Sequence, residues 1–327
     1  MKKGGGKKAE GVGESEQSPL ANEVRTDFLG RKVIIAVARG KRPHEFAVVD
    51  KPRKVVPKEK CFFCPGNEKL TPPEIDRIES EPGKWLVRCF PNKFAATGRN
   101  YPKAYGAHEV IVDTPDHQKY ISDLSEENIN SVLHMIRRRV AAISKDKKMK
   151  TAIVFKNEGK EAGASLEHTH WQIIALDILP PLIKEESDAA KKGKCRFCEM
   201  KKKERKNTFI NNGEVFAFCP TASRFHFESW IMPKRHVGDI RDLTEKELAS
   251  VASAIKMIFV KLEKTLNYPP YNLVLHTSPF SGIRKCDFHF HIEILPKLSK
   301  WAGFEHASDV IINSLPPEQC AEEMRKK

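Results

Sequence analysis

One pattern runs through this chain twice: a C-x-x-C pair, a lone histidine behind a strand-like segment, and an H-x-H on a further strand. Matching histidines stand roughly 120 residues apart, a period that chance rarely produces. The first copy reads Cys61, Cys64, His117 in HEVIVDTPDH and His168; the second reads Cys195, Cys198, His236 in ESWIMPKRH and His289. Each copy also carries a segment with helical spacing of apolar residues between its lone histidine and its H-x-H, SEENINSVLHMIRRRVAAI and TEKELASVASAIKMIFVKL. Thr244 and Glu247 are spaced as a capping box for the second helix, and Asp123 with Glu126 is expected to cap the first. The fold class that follows is α+β, an antiparallel sheet with a long helix across it, built twice. The expected organisation is a disordered basic tail over 1–20 and two related halves, 21–185 and 186–327.

The chain has eight cysteines. A disulfide framework suits small secreted domains, and this chain is large and expected to carry no export signal, so metal is the better use for the close pairs. Two Cys2His2 zinc sites are expected, one from Cys61, Cys64, His117 and His168, the other from Cys195, Cys198, His236 and His289. Four protein ligands leave no open position, which makes both sites structural. A thioredoxin-like role is disfavoured because neither C-x-x-C opens a helix within a βαβ unit. Cys89, Cys219, Cys286 and Cys320 read as small buried hydrophobes.

The densest chemistry lies in GASLEHTHWQ, residues 163–172. The β-prone run 152–155 before it and the apolar run 173–176 after it place the motif at the start of a strand. Residues two apart on a strand share a face, so His168, His170 and Gln172 are expected to project together, with Gly163 and Ser165 offering donors to an anion. Zinc on His168 would fix the strand that carries His170, the nucleophile. The second half keeps His289-Phe290-His291 but lacks the Gly-x-Ser loop and has Glu293 in the place of Gln172. A carboxylate there repels phosphate by several kcal/mol, on the order of a contact Coulomb term in a water-poor site. His170 is therefore selected over His291, which is expected to be structural.

A net charge of +14 points to polyanionic partners, but the excess is concentrated in the lysine-rich opening and in KKGKCRFCEMKKKERK. A zinc-stabilised nucleic-acid module would fit the charge; it would not explain GASLEHTHWQ, and no aromatic-interleaved platform accompanies the lysines. No specific nucleic acid partner is expected. The opening lacks the apolar core of a signal peptide, and no later apolar run nears the roughly 20 residues that span a bilayer. A cytoplasmic, membrane-free protein is the expectation.

Nearly everything after the tail resembles the galactose-1-phosphate uridylyltransferase family of the histidine triad superfamily. The likeness rests on TDFLGRKVIIAVARGKRPHEF, CFFCPGNEKLTPPEI, VRCFPNKFAA, HEVIVDTPDH, KNEGKEAGASLEHTHWQII and FHFHIEILPKLSKWAGFE. The family signature around the nucleophile is G-x-S-x-x-H-P-H-x-Q. Thr169 stands where the transferases usually carry proline, which is similar to the neighbouring ADP-glucose phosphorylases, as is GFEHASDVIINSLPPE. The resemblance implies a duplicated histidine-triad-like fold, a place in galactose metabolism, and a ping-pong reaction. His170 would take a nucleotide from UDP-glucose and pass it to galactose 1-phosphate. In the neighbouring branch an adenylyl group and phosphate or sulfate would be used, and in a histidine triad hydrolase water would intercept the adduct. It further implies that Ser165 and Gln172 donate to the phosphate oxygens, and that Arg39 and Arg42 reach phosphate. Asn92 and Phe94 would lie against ribose and base, and Asn157 would be a further substrate-binding residue. Phe304 and Glu305 would contact the hexose. A homodimer is implied in which one chain completes the sugar site of the other. Lys93 replaces an acidic residue found in some transferases.

Overall fold

The computed structural model describes residues 22–41, 56–191 and 195–326. The basic tail and Arg42 lie outside the described residues. The first half contributes β3 (Asp76–Glu81), β4 (Lys84–Pro91), β5 (Gly106–Val112), α1 (Glu126–Ile143), β6 (Thr151–Glu158) and β7 (His170–Leu176). The second contributes β8 (Thr208–Asn212), β9 (Val215–Phe218), β10 (Ser229–Pro233), α4 (Glu245–Leu266), β11 (Tyr271–His276) and β12 (His291–Pro296). Between the halves run α2 (Pro181–Lys191) and α3 (Arg196–Lys203).

The duplication emerges in the strand order, β3-β4-β5-β7-β6-β11-β12-β10-β9-β8. Each strand of the first half has its counterpart five strands later, and the order reads outward identically from the centre. The halves meet where β6 pairs antiparallel with β11, Phe155 opposite Val274 and Asn157 opposite Asn272. The two expected sheets are thus a single antiparallel sheet of ten strands. Period-2 alternation divides its faces: Trp171, Ile173 and Ala175 of β7 point into the main core, as do Leu273 and Leu275 of β11. α1 and α4 cover that face, burying Ile129, Leu133, Ile136 and Val140 from one helix and Leu248, Val251, Ile255 and Ile258 from the other. The opposite face carries the polar chemistry.

A separate three-stranded sheet forms from β1 (Glu23–Thr26), β2 (Lys32–Ile35) and β13 (Ile311–Asn313), with β2 in the middle and β13 parallel to it. It packs on the second half through Val33, Ile35 and Ala222, and Asn313 donates to the carbonyl of Ser223. Helices α5 (Gly303–Ser308) and α6 (Pro317–Lys326) flank β13. Among the described residues no helix is long and apolar enough to cross a membrane. Of the unpaired cysteines, Cys89, Cys219 and Cys320 are buried as expected, whereas Cys286 is exposed.

Both helix starts are capped, one of them by an unexpected residue. Thr244 Oγ accepts from the Glu247 amide at 3.2 Å while the Glu247 carboxylate accepts from the Thr244 amide at 2.8 Å, a full capping box. At α1 the cap is Ser125, which accepts from the Asn128 amide; Asp123 instead closes the preceding 3-10 turn by accepting from Tyr120. A serine one residue before the helix leaves Asp123 a turn too early to reach the free amides. Replacing Thr244 by alanine is expected to cost about 1 kcal/mol, measured as a loss of unfolding free energy in urea.

Candidate active site and metal centres

The catalytic motif hangs from a tight turn. Gly159 and Gly163 bracket a 3-10 turn at φ of +83° and +82°, a left-handed backbone that glycine adopts without strain. The strand begins only at His170, so His168 sits in the turn before β7 rather than on it. His168 therefore aims its Nδ1 at the cysteines, 3.5 Å from Cys61 Sγ and 3.7 Å from Cys64 Sγ. His117 Nδ1 approaches Cys64 Sγ at 3.1 Å. The second quartet repeats this, with His289 Nδ1 at 3.6 Å from Cys195 and 3.5 Å from Cys198, and His236 Nδ1 at 3.3 Å from Cys198.

These donor sets fit a metal. Tetrahedral zinc with ordinary Zn–S and Zn–N lengths places sulfur and nitrogen ligands about 3.6 Å apart, and the six S···N separations bracket that value. In each quartet the four ligand atoms lie within 4.8 Å of one another. Backbone carbonyls on the far side of three rings set the tautomers: His117 Nε2 donates to Val56 O, His168 Nε2 to Thr114 O and His236 Nε2 to Cys286 O. That leaves each Nδ1 lone pair facing the thiols. Burial and the neighbouring Cys61 push the Cys64 thiol up to about 12, so only a cation would hold it as thiolate. The first quartet is buried throughout, while Cys198 of the second is exposed.

His170 Nδ1 donates to the carbonyl of His168 at 2.8 Å, which fixes the neutral ring with Nε2 unprotonated and free of any hydrogen bond among the described residues. Burial, then the nearby Lys156 ammonium, lower His170 to about 4. Phe63 packs edge-on against the ring at 5.2 Å. Gln172 lies on the same face and its Oε1 meets His108 Nε2 at 2.9 Å. His108 accepts from the Ala96 amide on Nδ1 at 3.1 Å, so its Nε2 carries the proton and the Gln172 NH2 has no partner among the described residues, leaving it to donate to a ligand. His108 sits on β5, opposite Ile174 in the register that sets Val110 opposite Gln172. Sequence reasoning passed over it; its signal was the alternation of HEVIV, legible only once that register is known.

The other expected residues divide into two groups. Asn92 is close by: its side-chain nitrogen lies 3.1 Å from His108 Nε2 and its Oδ1 accepts from the Phe94 amide. Phe94 is 84% exposed. Asn157 accepts from Asn272 across the β6–β11 junction. Ser165 is exposed on the turn. Arg39, Phe304 and Glu305 are elsewhere, beside the three-stranded sheet. Glu305 accepts from the Ala302 amide at the start of α5, and although burial works against it, that amide and the charge of Arg39 contribute to a lowered carboxyl pKa. Among the described residues, no hydrogen bond, ion pair or ring contact joins these three to His170, Gln172 or Ser165.

The second half fills the equivalent place with its own charges. Glu293 takes the position of Gln172 and Glu228 that of His108, as the registers Trp230↔Glu293 and Val110↔Gln172 require. Arg224 bridges both carboxylates at 2.7 and 2.8 Å. Helix α2 lies over this face and brings Glu186 to 2.9 Å from His276 Nδ1. Burial alone would lower His276; Glu186 and Glu293 raise it to about 10. Glu186, His276 and His291 form a third compact group of potential metal ligands. His291 is fully buried beneath them, its Nδ1 donating to His289 O as His170 does to His168.

A neutral imidazole presenting one bare nitrogen beside an amide donor, on a strand braced by a metal-type quartet in a duplicated sheet, defines a histidine-triad-type nucleotidyltransferase. The family model for the N-terminal domain of galactose-1-phosphate uridyl transferase matches residues 14–180, and the chain belongs to that family. A second model, described as a domain of unknown function, matches residues 106–327. ADP-glucose phosphorylase from Arabidopsis thaliana is 32% identical, covering 99% of this chain and 96% of its own. Galactose-1-phosphate uridylyltransferase from Thermotoga maritima is 28% identical over 90% of this chain and 94% of its own. Among solved structures, the Arabidopsis ADP-glucose phosphorylase with bound ADP-glucose superposes with a TM-score of 0.83 at 31% identity, covering 94% of this chain and 99% of that one. A uridylyltransferase structure gives 0.72 at 28% identity, covering 94% and 98%.

Removing the guanidinium from the second half should expose the cost of its buried charges. Arg224→Met is expected to destabilise the fold by about 3–5 kcal/mol, because buried Glu228 loses its guanidinium partner and Glu293 keeps only His276 at 3.7 Å as an ion-pair partner among the described residues. Urea unfolding at neutral pH reads this directly, and a loss under about 1 kcal/mol would contradict the assignment.

Proposed function

We propose that this enzyme moves a nucleotidyl group from a nucleotide sugar to a phosphorylated or inorganic acceptor through a covalent adduct on His170. The observation that carries the reading is the His170 ring itself, with Nδ1–H committed to the His168 carbonyl and Nε2 left bare. Nε2 attacks the α-phosphorus, a P–N bond forms, and the bond from phosphorus to the bridging oxygen breaks to release sugar 1-phosphate. An acceptor oxygen then attacks the same phosphorus and the P–N bond breaks. The free NH2 of Gln172 donates to a non-bridging oxygen as charge builds there, with Ser165 as a second donor.

The uridylyl exchange from UDP-glucose to galactose 1-phosphate is the reaction supported by the uridylyltransferase relatives. A second reading, adenylyl transfer from ADP-glucose to phosphate or sulfate, is favoured by Thr169 and by the identity to ADP-glucose phosphorylase. The first half is the catalytic one and the second supplies structure and sugar contacts. Arg39, Phe304 and Glu305 flank the separate three-stranded sheet, which supports a homodimer in which they complete the partner's site. Both cysteine–histidine quartets hold structural zinc, and the enzyme works in the cytoplasm.

Intact mass after mixing with UDP-glucose or ADP-glucose, without acceptor, tests the reading. A uridylyl adduct discharged by galactose 1-phosphate is the outcome for the first substrate pair, an adenylyl adduct discharged by phosphate or sulfate for the second, and no adduct with either would overturn both. His170→Gly should lose the adduct with its melting temperature retained, and Gln172→Ala should slow adduct formation about 100-fold. Elemental analysis should find two zinc ions per chain, with His168→Ala retaining one and chelators stripping the exposed Cys198 site first.

A further inference from the structure

Beneath the nucleophile, on the core side of the sheet, lies a buried ion pair. Lys156 and Asp113 are both fully buried and their charged atoms are 2.8 Å apart. A buried pair gains little net stability, since desolvation offsets most of the Coulomb attraction. Its geometry is more telling. The hydroxyl of Thr169 donates to the same Asp113 oxygen at 3.1 Å and is met on its other side by the Lys156 ammonium. Lys156 Nζ also reaches His170 O at 3.4 Å, and the Asp113 amide donates to Thr169 O at 3.3 Å. The frame extends one residue further, where the Thr114 carbonyl receives His168 Nε2. Asn128 of α1 anchors the Asp113 carbonyl at 2.8 Å.

Thr169 is the link between two fixed rings. His170 takes its orientation from the His168 carbonyl, and the direction of that carbonyl is set by the peptide that joins residue 168 to 169. A rotation of that peptide would carry the acceptor away from His170 Nδ1 and turn Nε2 off its line of attack. A proline here would lock φ through its ring. Threonine has no such lock, and its side chain instead enters the core and is gripped by opposite charges from β6 and from the end of β5.

We propose that Thr169, clamped by Lys156 and Asp113, is the positioning residue that aims His170 at phosphorus, an inference that rests on His170 being the nucleophile. Removing either charge would strand the other in the core, so the test uses the hydroxyl. Thr169→Val keeps the shape and deletes the hydrogen bonds; Thr169→Ser keeps the hydroxyl. Three quantities are read in full-length enzyme: the single-turnover rate of adduct formation from whichever of UDP-glucose or ADP-glucose labels the wild type, the dissociation constant for that nucleotide sugar, and zinc content. The valine variant is expected to form adduct about 10- to 100-fold more slowly, the effect of misplacing a reacting atom by a fraction of an ångström to one ångström. Its nucleotide-sugar affinity should stay within about twofold and its zinc content should be unchanged, and the serine variant should recover to within about threefold of wild type. Wild-type rate in the valine variant would overturn the proposal. So would a joint fall in rate, affinity and zinc that serine does not repair, because that pattern marks a purely structural role. His170→Gly run alongside separates the two levels: an adduct formed by that variant refutes the nucleophile itself, whereas a silent His170→Gly with an unimpaired Thr169→Val refutes only the clamp.

Discussion

The pairing of β6 with β11 turns two copies of a small unit into one molecule, and most other features follow from it. Antiparallel contact at the midline makes the sheet continuous, so neither half has an exposed inner edge. It also brings α1 and α4 side by side over one face, where their apolar stripes merge into a single core with the inward residues of β7 and β11. With that face committed to packing, the side chains of the candidate active site lie on the other. His170 and Gln172 face outward because Trp171 and Ile173 must face in.

The two halves show how little separates a site from a filled cavity. Both keep an H-x-H whose second ring donates Nδ1–H to the carbonyl two residues before it. In the first half the neighbouring positions hold uncharged groups, Gln172 and His108. In the second, Glu293, Glu228 and Arg224 satisfy one another, and α2 adds Glu186 from above. Internal ion pairs there take the place that a phosphate would need.

Much of this is legible in the amino-acid sequence. The C-x-x-C pairs and their distant histidines pointed to both quartets because metal chemistry restricts ligands to few residue types. Thr244 and Glu247 marked a helix start because a capping box is a local device. What escaped was set by long-range register. His108 became meaningful only when β5 was aligned with β7, and the Lys156–Asp113 pair joins residues that no periodicity relates. The sequence placed His168 on the strand with His170; the structure begins the strand two residues later, since a metal-type quartet needs that ring turned aside. Asp123 misled as a cap because the local spacing could not distinguish a 3-10 turn from the helix behind it. Arg39, Phe304 and Glu305 were recognisable only by resemblance, their place beside a separate sheet being a matter of tertiary assembly.

That separate sheet has a consequence for the order in which the chain acquires its shape. β2 is flanked by β1, its near neighbour in sequence, and by β13, which lies almost the whole described length away. During synthesis the β1–β2 hairpin therefore emerges early and must wait for β13 before its second edge is covered. The segment that carries Arg39 is among the first to be made and among the last to be secured, so a ribosome-bound chain lacking β13 would hold a nearly complete central sheet while that arginine remained untethered.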